Sequence, residues 1–367
     1  MSADMQKKNR TIWLDAARTL GIMLVVGCHA VETYYRPVLR GKAEITLLPW
    51  IVEHVLFTAG RLGVPLFLAI SGALLLKREY QVKDFYKKSL IPLLLTTEIW
   101  IVLNYLFVCS PVKNEAFHLP ELFQEMLFLK DSSLSHMWYM PVILGIYLVV
   151  PFLAKLLRNW EDTSEFRIWF VLGFAAFILL PTLKVFGKEA FPALNDLSLE
   201  VDTRFWGGCY GLYFVGGYFI AERKVLCKVR EWILWIAAAV AFLLNTAGQR
   251  FLYSHGFYKT NGLYWYSDAA IFLMGLILFE LLRRHVSGRK VPGERGLTYL
   301  SRISFGIYLL HNRLWWRLKN YLPLQGIYLP VKMAVLFGIS FGGSIFAAFA
   351  VFLYVEKSRG RQCFYIK

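Results

Sequence analysis

The chain has 367 residues, of which 57% are hydrophobic and 17% aromatic while only 18% are charged, a balance too apolar for a soluble domain and suited to an integral membrane protein. Its 41 basic residues outnumber 25 acidic ones, giving a formal net charge of +16; the Lys and Arg flank apolar stretches instead of forming a patch, so the excess reports membrane topology and excludes nucleic acid as a partner. Cys28, Cys109, Cys209, Cys227 and Cys363 fall singly, which argues against a disulfide framework or a zinc site.

Stretches near 20 apolar residues predict an all-α polytopic bundle of about ten transmembrane helices, at 12–31, 55–76, 90–109, 138–157, 168–186, 205–221, 232–247, 264–282, 303–321 and 331–355. The first follows Lys7, Lys8 and Arg10 as a signal peptide would, but no small-x-small cleavage site comes after it, so it reads as an uncleaved helix. In the third, Glu98 needs a buried partner, for which Arg18 and Arg61 are the candidates. The ninth is interrupted by His311, Asn312, Arg313 and Arg317. Lys and Arg are more frequent in alternate connecting segments, beginning with the N-terminus. The positive-inside rule then gives a multi-pass protein of the inner or plasma membrane: a cytoplasmic segment 1–11, a membrane domain 12–355 and a cytoplasmic tail 356–367. Gly60, Gly63 and Gly72, and the pairs Gly207/Gly211 and Gly338/Gly342, are expected to pack helices closely.

The first span, "LDAARTLGIMLVVGCHAV" from Leu14 to Val31, carries Asp15, Arg18 and His29 inside its apolar run. At 3.6 residues per turn the step from Arg18 to His29 is roughly 20° from three full turns and about 16–17 Å along the axis, so both project from one face. Asp15 precedes Arg18 by three residues and Glu32 follows His29 by three, each within helical reach. Ionisable groups at membrane depth are costly and point to function; the plainer alternatives are an Arg18–Asp15 pair near the headgroups and an interfacial histidine.

The stretch "LDAARTLGIMLVVGCHA" resembles the first helix of the acyltransferase-3 family of membrane acyltransferases, whose signature is an arginine, ten intervening residues and a histidine. Three further stretches agree in order and spacing: "GRLGVPLFLAISGALLLKR" resembles the family's Phe-x-x-x-Ser-Gly helix, "HMWYMPVILGIYLVVP" its Trp-Tyr helix entry, and "ISFGIYLLH" its Tyr-Leu-x-His segment. The chain departs in having Lys77, Lys83, Lys87 and Lys88 beside Arg78 where the family often has arginines, and Leu66-Phe67 in place of an aromatic pair. The esterase-like domain of some members does not follow the tenth span.

The resemblance implies transfer of an acyl group, often acetyl, from acetyl-CoA to a hydroxyl of an envelope glycan or lipid-linked sugar, with CoA as a donor substrate and no permanently bound cofactor or metal. A hydroxyl needs a general base, for which His29 is the candidate, oriented by Glu32. Arg18 would grip the donor; Arg78, Lys87 and Lys88 would meet the CoA phosphates. Arg61, Trp138, Tyr139 and His311 are the candidates for the acceptor side. The bilayer and the acceptor are the expected partners, with a homo-oligomer left open. The rival class is a secondary transporter or flippase with a buried ionisable relay, for which internal repeats and broken helices would be expected and are not evident in the sequence.

Overall fold

A computed structural model of the chain describes residues 11–42, 45–108, 117–130, 135–159, 163–190, 207–256, 262–321 and 329–358. Among them every regular element is helical: α1 (Ile12–Leu39), α2 (Leu47–Arg61), α3 (Gly63–Leu75), α4 (Val82–Phe85), α5 (Ile91–Val108), α6 (Leu119–Met126), α7 (Tyr139–Asn159), α8 (Thr163–Phe174), α9 (Leu180–Ala190), α10 (Gly208–Ala221), α11 (Glu231–Ser254), α12 (Ala269–Val286), α13 (Glu294–Tyr321) and α14 (Leu329–Ser358). The expected cytoplasmic segment before residue 11 and the end of the tail beyond residue 358 lie outside the described residues.

Among the described residues, helices run through each of the ten predicted segments, but seven stretches are long and apolar enough to cross a membrane: Ile12–Leu39, Leu47–Leu75, Val82–Leu106, His136–Asn159, Arg167–Val185, Glu231–Ser254 and Leu329–Leu353. The other three fall short for separate reasons. α10 has 14 residues, about 21 Å of rise against a hydrocarbon core of about 30 Å. α12 ends in Glu280, Arg283 and Arg284, and α13 carries charged residues and His311, Asn312 and Arg313 along its length. The supported count by length and composition is therefore seven, not about ten.

The second stretch is broken, which the sequence did not suggest. Pro65 has no N–H to offer the Arg61 carbonyl, and the chain turns at Leu62 between α2 and α3. The break is also where backbones meet: a Cβ at Gly60 would stand 2.7 Å from Cβ of Cys28, and one at Gly63 would stand 2.7 Å from the Gly21 carbonyl. Both contacts are with α1.

α1 lies at the centre, touching α2, α3, α12, α13 and α14. Of its most apolar window 61% is buried inside protein, against 6% for the Arg167–Val185 stretch. That placement answers the cost of its ions, which lipid could not solvate. α13 runs beside it in the same direction, with Thr298 and Ser301 opposite Asp15 and His311 opposite His29.

The tightest crossing joins α3 to α10. A Cβ on Gly72 would fall 1.6 Å from the Phe214 carbonyl oxygen, and one on Gly217 would fall 2.1 Å from that of Ala69. Gly72 thus packs as expected, but other expectations fail. Gly338 and Gly342 meet nothing within 4 Å, and Gly207, with φ +88°, is the left-handed N-cap of α10. A small-x-x-x-small spacing marks a helix face without saying that a partner lies on it.

Charged segments collect at one end of the bundle. Lys77 donates to Glu222 at 3.1 Å, Arg158 to Glu79 at 3.2 Å, and Arg284 to the Leu226 and Val229 carbonyls at 2.6 and 2.9 Å. The hydrogen bond from Arg158 holds the Glu79 carboxyl below its ordinary range, although such exposed pairs contribute little stability.

These contacts predict that Gly72→Ala and Gly217→Ala each destabilise the folded protein by more than about 3 kcal/mol, the upper end of ordinary overpacking, because the obstructing atoms are backbone. Gly338→Ala should leave melting in detergent unchanged. Equal melting of all three variants would contradict the α3–α10 crossing.

Candidate active site

The ions of α1 are partnered mainly by α13. Asp15 is buried and accepts hydrogen bonds from Ser301 Oγ at 2.7 Å and Thr298 Oγ1 at 3.3 Å. Ser301 also accepts from Arg18 Nη1 at 3.4 Å, so one hydroxyl bridges cation and carboxylate. Thr19 Oγ1 donates to the Leu297 carbonyl at 3.2 Å, pinning the two helices at the same level. Arg18 is half-buried and lies within electrostatic range of the Tyr139 and Tyr147 hydroxyls of α7.

Three turns further along α1, His29 Nδ1 is 3.0 Å from Glu32 Oε2, with the two side chains 19% and 13% exposed. The carboxylate can only accept, so Nδ1 is the donor, and in the neutral ring Nε2 is then the acceptor. The other Glu32 oxygen accepts from Arg36 and lies 3.9 Å from Arg61 Nη2. Glu32 is thereby held from both sides.

The His29 ring sits 5.3 Å from that of His311 and 6.5 Å from that of His136, while the rings of His136 and His311 are 5.0 Å apart. His311 Nδ1 donates to the Tyr308 and Ile307 carbonyls at 2.7 and 3.2 Å. Its Nε2 is consequently an unprotonated acceptor, buried without a protein partner. His136 is 2% exposed, and among the described residues neither ring nitrogen has a hydrogen-bond partner. Tyr308 fixes its backbone by donating to the His136 carbonyl at 2.7 Å. Three imidazoles from α1, the entry to α7 and α13 thus cluster, those of His136 and His311 buried and that of His29 partly so. They pack ring against ring; among the described residues no three His, Cys, Asp or Glu side chains converge as metal ligands would.

The remaining predicted residues divide. Arg61 is buried, with its guanidinium 4.6 Å from the Phe57 ring centre and 5.7 and 5.8 Å from Trp265 and Tyr266, so it braces Glu32 from within an aromatic cage. Trp138 stacks on Tyr266 at 5.3 Å and borders Trp265 and Tyr210; it continues that cage and is not an isolated belt residue. Tyr139 packs on Tyr308 at 6.0 Å. A small pocket beside Trp138 is lined by Ile101, Glu125, Phe128, Lys130 and Met137. Arg78, Lys87 and Lys88 are exposed at the bundle surface, and Lys88 donates to Asp84 at 2.9 Å. Phe85, in the same segment, touches Tyr147 at 5.8 Å and so links that surface to the neighbourhood of Arg18. Glu98 is not matched as expected: Arg61 lies against Glu32, and Glu98 Oε2 is buried without a hydrogen-bond partner.

Some members were not picked out from sequence. His136 reads there as one more polar residue at a helix entrance, and Thr298 and Ser301 fall in the connection before the ninth expected span, 303–321. Arg313, which made that span look doubtful, donates through Nη2 to the Asn104 carbonyl of α5 at 2.6 Å and through Nε to the Asn104 side chain. Only its place on the His311 helix hinted at a buried role.

Residues 11–353 match the family model described as an acyltransferase domain, acyltransferase-3. The chain is similar to the protein named "Putative acetyltransferase ORF330" of Acidianus two-tailed virus, at 26% identity over 316 residues, covering 81% of this chain and 86% of that one. No solved structure matches. The match runs through α1, the broken α2–α3 pair, the His136 entry to α7 and the His311 helix alike, and the chain therefore belongs to the acyltransferase-3 family of membrane acyltransferases.

Proposed function

We propose that the protein transfers an acyl group, in the simplest case acetyl, from acyl-CoA to a hydroxyl of a cell-envelope glycan or lipid-linked sugar. It would work in the inner or plasma membrane with both termini cytoplasmic. The observation that supports this reading best is the His29–Glu32 pair, whose imidazole belongs to a three-imidazole cluster with His136 and His311. A hydroxyl is a weak nucleophile at neutral pH. As its oxygen attacks the thioester carbonyl, Nε2 of His29 takes its proton, and the Glu32 carboxylate stabilises the imidazolium that forms. Collapse breaks the C–S bond, and the departing thiolate takes that proton. Arg36 and Arg61 keep Glu32 in place from its other oxygen.

On this reading Arg18 serves the donor, and the exposed Arg78, Lys87 and Lys88 collect the CoA phosphates on the cytoplasmic side. The envelope hydroxyl approaches from the aromatic side of the cluster, past Trp138 and Tyr139.

With purified detergent-solubilised protein, labelled acetyl-CoA and the envelope glycan fraction of producing cells, His29→Ala should lower transfer by about 10²–10⁴-fold while acetyl-CoA binding stays near wild type. Arg18→Ala should weaken acetyl-CoA binding as well as rate, and Arg18→Lys should recover little, because an ammonium lacks the guanidinium fork. A well-folded His29→Ala protein that transfers label at the wild-type rate would sink the mechanism.

Glu32→Gln separates orientation from proton transfer. The amide retains an oxygen to accept from Nδ1–H but cannot stabilise imidazolium as a carboxylate does, so kcat should fall by less than in His29→Ala with KM for acetyl-CoA preserved. A loss confined to KM would assign Glu32 to binding instead.

A further inference from the structure

The acyl-transfer reading leaves one requirement unassigned: a donor for the negative charge that develops on the thioester carbonyl oxygen. We infer that His136 supplies it; the inference rests on that reading and adds a residue that the His29–Glu32 mechanism does not use.

The argument is a count of protons among three imidazoles. A neutral imidazole has one N–H and one lone pair. His29 directs its N–H at Glu32, and His311 directs its own at two main-chain carbonyls. As neutral rings both therefore keep only an acceptor nitrogen uncommitted, and an oxyanion cannot bind to an acceptor. His136 is the third ring, 2% exposed, with both nitrogens buried and unpartnered. It has at least one N–H in either protonation state, and no protein group takes it. A buried donor without an acceptor is costly unless a ligand completes it.

Placement supports the same role. The His136 ring stands edge-on to His311 at 5.0 Å and 73° and to Tyr308 at 5.2 Å and 66°, and its backbone is tied to α13 through the Tyr308 hydroxyl. An oxyanion donor must be fixed before the reaction, and these two ring contacts together with the Tyr308 hydrogen bond to the His136 carbonyl hold the residue against α13. In the step itself the acceptor oxygen bonds to the thioester carbon and its proton passes to His29 Nε2. The carbonyl π pair moves onto oxygen, where the His136 N–H meets it. When the pair returns, the C–S bond breaks and the thiolate leaves with the proton from His29. Ester and free CoA thiol are the products, and His136 ends unchanged.

The test compares full-length wild type, His136→Phe, His136→Gln and His29→Ala in the labelled acetyl-CoA assay, with kcat, KM for acetyl-CoA and the pH dependence of kcat/KM. His136→Phe keeps a planar ring without a donor, so kcat should fall by about 10²–10³-fold with KM for acetyl-CoA within about threefold. His136→Gln offers an amide N–H and should regain at least about tenfold of that loss. The acidic limb of the pH profile, which reports the base His29, should not move in His136→Gln. A purely structural residue would lower folded yield without rescue by Gln. The inference is overturned if folded His136→Phe turns over like wild type, if Gln is no faster than Phe, or if the acidic limb shifts with His136. Should His136→Phe fail to fold, a folded His136→Gln no faster than His29→Ala overturns it equally. Failure of wild type to move label from acetyl-CoA would remove the acyl-CoA reading itself, whereas an active wild type with an inactive His29→Ala and an unimpaired His136→Phe would remove this inference alone.

Discussion

The contact on which the rest depends is the parallel seam between α1 and α13, where Asp15 and Arg18 meet Thr298 and Ser301 and His29 meets His311. A charge in hydrocarbon has no solvent, so an ion-bearing helix must be wrapped by protein that supplies hydrogen-bonding groups at matching heights. α13 supplies them with short hydroxyls at one end and an imidazole at the other. This accounts for part of what makes α13 too polar to pass as an apolar span: Thr298, Ser301 and His311 face α1, and Arg313 reaches Asn104 of α5. Judged as a lone segment it looks defective; judged as a lining for α1 it is complementary.

The second constraint is closeness. Backbones approach at Gly21–Gly63 and Cys28–Gly60, and again where Gly72 and Gly217 cross α3 over α10. In lipid, helices gain by packing and not by escaping water, so small residues at the crossings decide which neighbours can draw near. The break at Leu62 is part of this arrangement. It leaves Arg61 at the end of α2, buried among Phe57, Trp265 and Tyr266 and within 3.9 Å of Glu32. A local failure of one helix thus positions the cation that braces the carboxylate beside His29. A broken helix would favour a transporter if it recurred in a corresponding half, but here it serves the ion pair next to the histidines, and the family is one of acyltransferases.

What could be read from the sequence follows from the range of each signal. The shared face of Arg18 and His29 depends on periodicity within one helix, and so do the Asp15 and Glu32 partners; all four emerged because a 3.6-residue repeat is local. His311 is legible only through the family motif, which makes it a candidate for the acceptor side; its place beside His29 comes from the packing of α13 on α1. His136 was passed over because nothing local distinguishes a histidine at a helix entrance from one at the interface, and its meaning lies in two rings more than a hundred residues away on either side. The glycines show the same limit: Gly72 and Gly338 look alike in sequence, and only the partner helix tells that one is in contact and the other is not. The number of spans meets the same limit: length and composition support seven, and whether α10, α12 and α13 cross as well depends on neighbours that shield their polar groups, which hydropathy does not see.

The length of α1 also bears on how donor and acceptor could be brought together. An acyl-CoA carries its phosphates and its thioester at opposite ends of a long flexible arm, so a site that holds the first and reacts the second must be extended. On the acyl-CoA reading proposed above, Arg18 and His29, about 16–17 Å apart along one face, would provide two fixed points on a single helix, with a spacing that does not change when loops move. Preorganisation of this kind lowers the entropic cost of aligning the thioester with a hydroxyl. It also accounts for the rigidity of the histidine cluster: Glu32, two carbonyls and the Tyr308 hydroxyl hold the three imidazole-bearing residues in place before any substrate arrives. A transport site would need such groups to exchange partners between two states. Here His29 and His311 each have one nitrogen committed to a fixed acceptor, which leaves the other for chemistry and favours a site that reacts over one that rearranges.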